Sequence, residues 1–467
     1  MAIVYALCAA YVAYCLATNP AGAITTPDSI RYLEVWPNYP LGYPLFLKIF
    51  GEHGAIIAQP VIFGAALAFL GGEIVRLARS TWLAAAVVIG CAALPQIREF
   101  HASILSESLF ISLVIVILGL SLRFTYHSTW RLIVLIAMAA GASATIRRTG
   151  FAFVPLMLIM VLMQRHRLIG SQATLFGVAA LAPFLVIVGI EQAAASVVHK
   201  GHPSSLTGRH MFAKAALIDA PAWPEGTVDR SLAGEDLVRF ELNRHLEHDY
   251  APIRQFLASA PRDIRGVLSI YYETCLQGGC VDRSRELMPG VNEADQTKML
   301  GDVAFSRIAR APAAFVDLWA LNYMSLWTVD RLHHPDRAAR LNAFIASHRP
   351  MPFEQQAFSL EPNQPLTFAP VTRVRYVQWV IAALAVWTAL LAAVGLAAVI
   401  MPSRFPPLLV FASVSALAAH GGLLLTSLLA AGFSRFTIGV WPAIVTAAIT
   451  GLYWGAMFAR PLRKTNF

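Results

Sequence analysis

The sequence predicts an all-α polytopic membrane protein carrying one large polar insertion. Three observations predict it. Hydrophobic residues make up 57% of the 467 and charged residues 13%, with a mean hydropathy of +0.59; that is the composition of a multi-spanning chain. Apolar runs long enough to cross a bilayer as helices recur in both the N-terminal and C-terminal parts. Between them, residues 193–374 hold 19 Lys/Arg against 20 Asp/Glu, while the remainder holds 17 against 7. The formal charge of +9 therefore belongs to the hydrophobic part, where basic residues beside apolar spans mark topology. It argues against a nucleic-acid partner.

Spans are expected near residues 2–18, 55–78, 81–96, 104–122, 131–146, 150–164, 171–192, 376–400, 406–431 and 437–459, about ten transmembrane helices. They define an N-terminal transmembrane module (1–192, with a first outer loop at 19–54), an extracytoplasmic domain (193–374) and C-terminal transmembrane helices (375–467). The first run has no Lys or Arg before it and many spans after it, so it reads as a retained helix. Ala21-Gly22-Ala23 nevertheless resembles a signal-peptidase site.

Loop charges set the orientation. With the N-terminus inside, Arg76, Arg79, Arg123, Arg131, Arg165, Arg167, Arg404, Arg460, Arg463 and Lys464 all lie at cytoplasmic ends, against the single acid Glu73. Both termini are then cytoplasmic. The Asp28 loop, the Gln96–Ser103 turn, the Ile146–Gly150 turn, the polar domain and the Gly432–Thr437 turn share the outer side.

The polar domain is expected to be mostly helical. Gly234–Thr274 shows apolar residues at helical spacing. Arg307–Trp327 is apolar but interrupted by Asp317, the pattern of a helix lying on the membrane surface. His199, Arg209, His210 and Lys214 read as a solvated basic loop in preference to a phosphate site. Cys275 and Cys280 form an exported disulfide or stay as thiols; Cys8, Cys15 and Cys91 fall in spans and serve packing.

With this orientation, certain charges stand against the topology rule. Arg147 and Arg148 end the fifth span on the outer side, and Arg98, Arg435 and Lys48 lie at the same level. A single such residue snorkels to headgroups. Several around one rim, beside isolated acids, point to an anionic ligand, and phosphate suits the guanidinium fork. Asp28 follows Pro27, with Thr26 as a cap, so the helix dipole accounts for it as well as catalysis does. Glu107 sits in the first turns of the fourth span, with Ser103 as a potential cap. An acid at a membrane edge is costly without a partner or a task, which keeps both as candidates; Glu34 and Glu99 are more readily solvated. His245 and His248 are spaced for one helix face but have no third ligand in view. No cofactor is implied, and a divalent metal is allowed but not favoured, because Asp28 has no neighbouring acid.

PDSIRYL followed by YPLGYPLFLKIFG resembles the first outer loop of the GT-C membrane glycosyltransferases, a superfamily that includes the protein O-mannosyltransferases and the lipid A aminoarabinose transferases. LPQIREFHASILSESLFISLVIVILGL, ATIRRTGFAFVPLMLI, RIARAPAAFVDLWALNYMSLW and FSRFTIGVWPAI resemble later signatures of that family in the same order. The resemblance implies a GT-C-like helical bundle in a bacterial inner membrane. It implies inverting transfer of a sugar from a polyprenyl-phosphate donor to a glycan, lipid or protein acceptor on the outer face. Asp28 would be the base. Arg147, Arg148 and Arg435 would stabilise the leaving phosphate, Glu107 would orient acceptor or donor, and Arg98, Tyr43 and Lys48 would complete the substrate site. The donor's lipid tail would lie in a groove between helices, with membrane lipids as a further partner. Many relatives have two adjacent acids in the first loop where this chain has Asp28 alone, which counts against a metal-bound mechanism. The competing readings are a lipid flippase or transporter and a non-catalytic envelope assembly protein.

Overall fold

The computed structural model describes residues 1–163, 172–200, 207–221, 234–273, 280–328, 335–348, 371–401, 404–429 and 434–459. Among these residues every regular element is a helix, and a single backbone bridge joins Ile24 to Ser103. The chain forms two compact units. One comprises Met1–Gly201, Ala383–Leu423 and Thr437–Phe467; the other comprises His202–Ala382 and Leu424–Phe436.

The first unit begins with α1 (Ala2–Thr18), the short α2 (Pro27–Leu33), α3 (Gly42–Ala78), α4 (Thr81–Ala92) and α5 (Pro95–Ala102). It continues through α6 (Glu107–Tyr126), α7 (Trp130–Ile146), a 3-10 turn (Arg148–Ala152), α8 (Phe153–Met163) and α9 (Gln172–Val198). The second unit holds α10 (Thr207–Leu217), α11 (Glu235–His248), α12 (Ala251–Ser259), α13 (Arg262–Glu273), α14 (Cys280–Glu286), α15 (Glu293–Arg310), α16 (Pro312–Leu326) and α17 (Pro335–Ser347). Then follow α18 (Val371–Ile400), α19 (Pro407–Leu429), α20 (Ser434–Gly439) and α21 (Trp441–Ala459).

Six of these helices are long and apolar enough to cross a membrane, or seven if α4 and α5 form one broken span. Helices Ala2–Thr18 and Trp130–Ile146 and the stretch Arg148–Met163 are apolar but shorter, so the ten expected ranges fall on helices without all reaching spanning length. The central helix is α6, 83% buried over its apolar window, packed on α3, α5, α7 and α21. By contrast α9 is 28% buried over its window and exposes Leu185, Val186 and Ile190. An apolar face of that extent belongs against lipid.

Two local differences from the sequence expectation follow from backbone chemistry. Residues 96–103 were expected to be a turn, but Pro95 opens the helix α5, bent 62° from α4. Proline lacks the N–H needed to continue α4 yet suits a first helical position. The cap of α6 is Ser106, not Ser103, because Ser103 is held in the bridge. There Ile24 N–H donates to Ala102 O (2.9 Å) and Ile104 N–H to Ile24 O (3.0 Å).

In the second unit Arg209, His210 and Lys214 of the expected basic loop instead stand on α10, a buried helix, while His199 follows the end of α9. Phe212, Ala215 and Lys214 have at most 1% exposure, and Lys214 Nζ donates to Ser427 O at 3.0 Å. Arg209 pairs with Glu293. The carbonyls closing α10 meet two arginines. Fully buried Arg307 donates to Ala215 O and Ile218 O, and Arg254 donates to Ala216 O as well as to Leu246 O and Glu247 O at the end of α11. Cations satisfying last-turn carbonyls match the negative end of the helix dipole. Gly234–Thr274 resolves into α11, α12 and α13. Arg307–Trp327 is not one helix: it breaks at Ala311, and α16 packs on α13. Asp317, its interruption, pairs with Arg262 and Arg265. Cys275 lies outside the described residues, as does the side chain of Cys280.

Candidate functional site

The first unit gathers three arginine–carboxylate pairs at the ends of helices that are far apart in sequence. The first lies on α2. Thr26 is its N-cap and Pro27 its first residue, and Thr26 N–H donates to Ser29 Oγ at 2.8 Å. Asp28 thus stands in the first turn, near the positive end of the dipole, with its side chain 19% exposed. Tyr39 Oη donates to Asp28 Oδ1 (3.2 Å) and accepts from Arg31 Nη1 (2.7 Å), and Arg31 Nη1 is 3.4 Å from Asp28 Oδ1.

The end of α2 fixes Arg31. Trp36 N–H donates to Arg31 O and Val35 N–H to Tyr32 O, the two bonds of a Schellman motif. Its left-handed position is taken by Val35, φ 54°, where a β-branched residue is strained. Trp36 and Tyr39 flank the Arg31 guanidinium at 5.5 and 5.7 Å. Burial by itself would lower the Arg31 pKa, but the hydrogen bond to Tyr39 and the Asp28 carboxylate oppose it, and the net direction is upward. Burial pushes the hydroxyls of both Tyr32 and Tyr39 above the usual tyrosine range.

The second pair joins α6 to the end of α7. Arg147 Nη1 lies 2.6 Å from Glu107 Oε1 and donates to Ser106 Oγ at 3.3 Å; the Glu107 side chain is 3% exposed. Ser106 also bonds Tyr32 Oη at 2.8 Å, which links this pair to α2. Asp28 lies within electrostatic reach of Arg147. Among the described residues, the buried Glu107 Oε2 has no hydrogen-bond partner.

The third pair reaches α9. Arg148 donates to both carboxylate oxygens of Glu191 (2.9 and 3.2 Å), and Leu41 N–H donates to Glu191 Oε1 at 3.1 Å. Close backbone contact holds the elements together. A Cβ on Gly42 would lie 2.6 Å from Thr145 O, and one on Gly150 2.4 Å from Ala144 N, so a larger residue fits neither place.

The expected site residues separate accordingly. Asp28, Glu107, Arg147 and Arg148 come together. Tyr43 is fully buried, its hydroxyl donating to Gln59 Oε1 (3.3 Å) and its ring edge-on to Tyr32; it supports the layer from behind. Gln59 in turn donates to His101 O and Ser103 O. Arg98 bonds Tyr14 of α1 instead (3.3 Å). Lys48 is exposed on α3 just before the break at Gly51 (φ 67°) and contacts none of the three pairs. Arg435 falls on α20 of the second unit, and its side chain lies outside the described residues. Among the described residues no group of three or more His, Cys, Asp or Glu is placed to hold a metal ion.

Sequence reasoning passed over Arg31, Tyr39, Ser106 and Glu191. Glu191 had a readable signal, an acid in the last turns of an apolar span. Ser106 and Tyr39 had none. The fold and this layer define a multi-pass, all-helical membrane protein with paired charges gathered at one end of its first unit. No family model matches the chain, and neither does any curated protein or solved structure.

Proposed function

We propose that the protein is an inverting glycosyltransferase of the GT-C type, moving a sugar from a polyprenyl-phosphate donor to a glycan, lipid or protein acceptor outside a bacterial inner membrane. The observation that carries this reading is a partly open carboxylate, Asp28, held by Arg31 and Tyr39 within electrostatic reach of Arg147. A base and a phosphate-directed cation at one rim are what the reaction needs. The acceptor hydroxyl gives its proton to Asp28 as its oxygen forms the new bond to the anomeric carbon. The bond from that carbon to the phosphate oxygen breaks, and the polyprenyl phosphate leaves with the electron pair. Arg147, with Arg148, stabilises the charge that develops there. Glu107, closed off from solvent by its pairing, orients Arg147 and does not itself touch the acceptor.

The charges of Glu107 and Arg147 are buried as well as paired, an arrangement also typical of transport paths through membranes; it supports a lipid flippase as the second reading. The purified protein, reconstituted in vesicles with radiolabelled polyprenyl-phosphate sugars and envelope extract, separates the two. Label transferred to acceptor supports the enzyme, and label moved across the vesicle without bond exchange supports the flippase. Asp28→Asn is expected to lower transfer by roughly 10²–10⁴-fold with folding intact; near-normal transfer by that variant removes Asp28 as the base.

A further inference from the structure

A cavity of about 430 Å³ opens at the far end of the same helices, lined by Leu77, Arg79, Tyr126, Pro406, Tyr453 and Phe458 among others. Its depth follows from α6. Glu107 begins that 20-residue helix and Tyr126 ends it; at about 1.5 Å per residue the two are roughly 30 Å apart, the thickness of a bilayer's hydrocarbon core. The cavity therefore lies at the opposite membrane face from the three ion pairs.

Its chemistry is that of a lipid seat. The walls are aliphatic and aromatic, with Trp454 stacked on Phe458 (5.5 Å) and Phe458 79% exposed. Tyr126, Tyr453 and Trp454 are the residue types that settle at headgroup depth. The rim is cationic. Its one lining cation is the exposed Arg79, which has no acidic partner among the described residues. Arg79 also holds the left-handed cap of α3 (φ 53°, ψ 32°), a position that favours glycine. The backbone there bears a strain that glycine would relieve, and Arg79 is one of the residues that line the cavity.

We propose that this cavity binds one anionic phospholipid of the surrounding membrane, an acyl chain within it and the phosphate at Arg79. The site goes beyond glycosyl transfer and stands whether or not that reading holds. The test is native mass spectrometry of the full-length protein in detergent, titrated with phosphatidylglycerol and with phosphatidylcholine. Wild type is expected to retain phosphatidylglycerol preferentially. Arg79→Gly should lower that preference roughly fivefold, the effect of one basic residue near an anionic surface, with thermal stability equal to or above wild type. Met457→Trp, which fills the cavity from its exposed side, should lower retention of both lipids. Equal retention of the two lipids by wild type, or an unchanged preference in both Arg79→Gly and Arg79→Gln, overturns the proposal. Full displacement of phosphatidylglycerol by millimolar inorganic phosphate also overturns it, because the site would then take free phosphate.

Discussion

Arg147 Nη1 and Glu107 Oε1 lie 2.6 Å apart at the buried junction of α7 and α6, and Arg147 reaches Ser106 from the same position. An ion pair withdrawn from water stabilises only relative to its broken form, since one buried charge left alone bears its whole desolvation cost.

Removing one partner is therefore expected to cost about 3–5 kcal/mol, seen as a lower midpoint in thermal unfolding in detergent for Glu107→Ala or Arg147→Met. The double variant Glu107→Leu/Arg147→Met should recover most of that loss while losing transfer. Additive losses in the double-mutant cycle would show that the two side chains do not act as a pair.

Glu191 does two things at once, pairing with Arg148 and accepting from Leu41 N–H. Glu191→Gln keeps an oxygen for Leu41 and loses the ion pair, whose arginine side chain is 41% exposed; solvent screening holds that loss to about 1 kcal/mol. Glu191→Ala leaves the Leu41 N–H unpaired as well, for a further ~1–3 kcal/mol. Equal unfolding midpoints for the two variants would remove the Leu41 contact as a support.

Val35 is expected to be a poor choice for its own backbone. Val35→Gly should stabilise the protein by about 1 kcal/mol, and Val35→Ile should leave it unchanged. Trypsin cleavage after Arg31 reports the same region, and the glycine variant should be cut no faster than wild type. A destabilised glycine variant would mean that the side chain contributes more by packing than the left-handed turn costs.

In the second unit burial, with Lys214 and Arg209 adding to it, lowers the pKa of His210 from 6.5 to about 4. An unfolded histidine takes up a proton near pH 6.5 and the folded one only near pH 4. Unfolding thus binds a proton between these values, and stability falls as pH drops from about 6.5 to about 4. The expected loss is about 3 kcal/mol, and His210→Gln should abolish its part of the slope in unfolding midpoints measured across that window. An unchanged slope in the variant would assign the acid sensitivity to other groups.

Local pattern made much of the site legible. Thr26, Pro27 and Asp28 are a helix start in sequence and in structure, because capping and the proline φ act within one turn. The same reasoning misplaced the start of α6, since a backbone bridge to Ile24 had already engaged Ser103. It also took α10 for a solvated loop, because basic residues read as exposed unless their partners are visible. Those partners, Glu293 and Ser427 O, stand far along the chain.

The sequence by itself determined the helical class, the apolar ranges, and the helix-start position of Asp28, all of which depend on neighbours a few residues away. Only the tertiary structure decided that Arg147 meets Glu107, that Arg148 meets Glu191, and that Asp28 is held by Tyr39 as well as Arg31. The physical reason is that an ion pair depends on which helix ends the packing brings together and how their side chains point. Composition and periodicity carry neither.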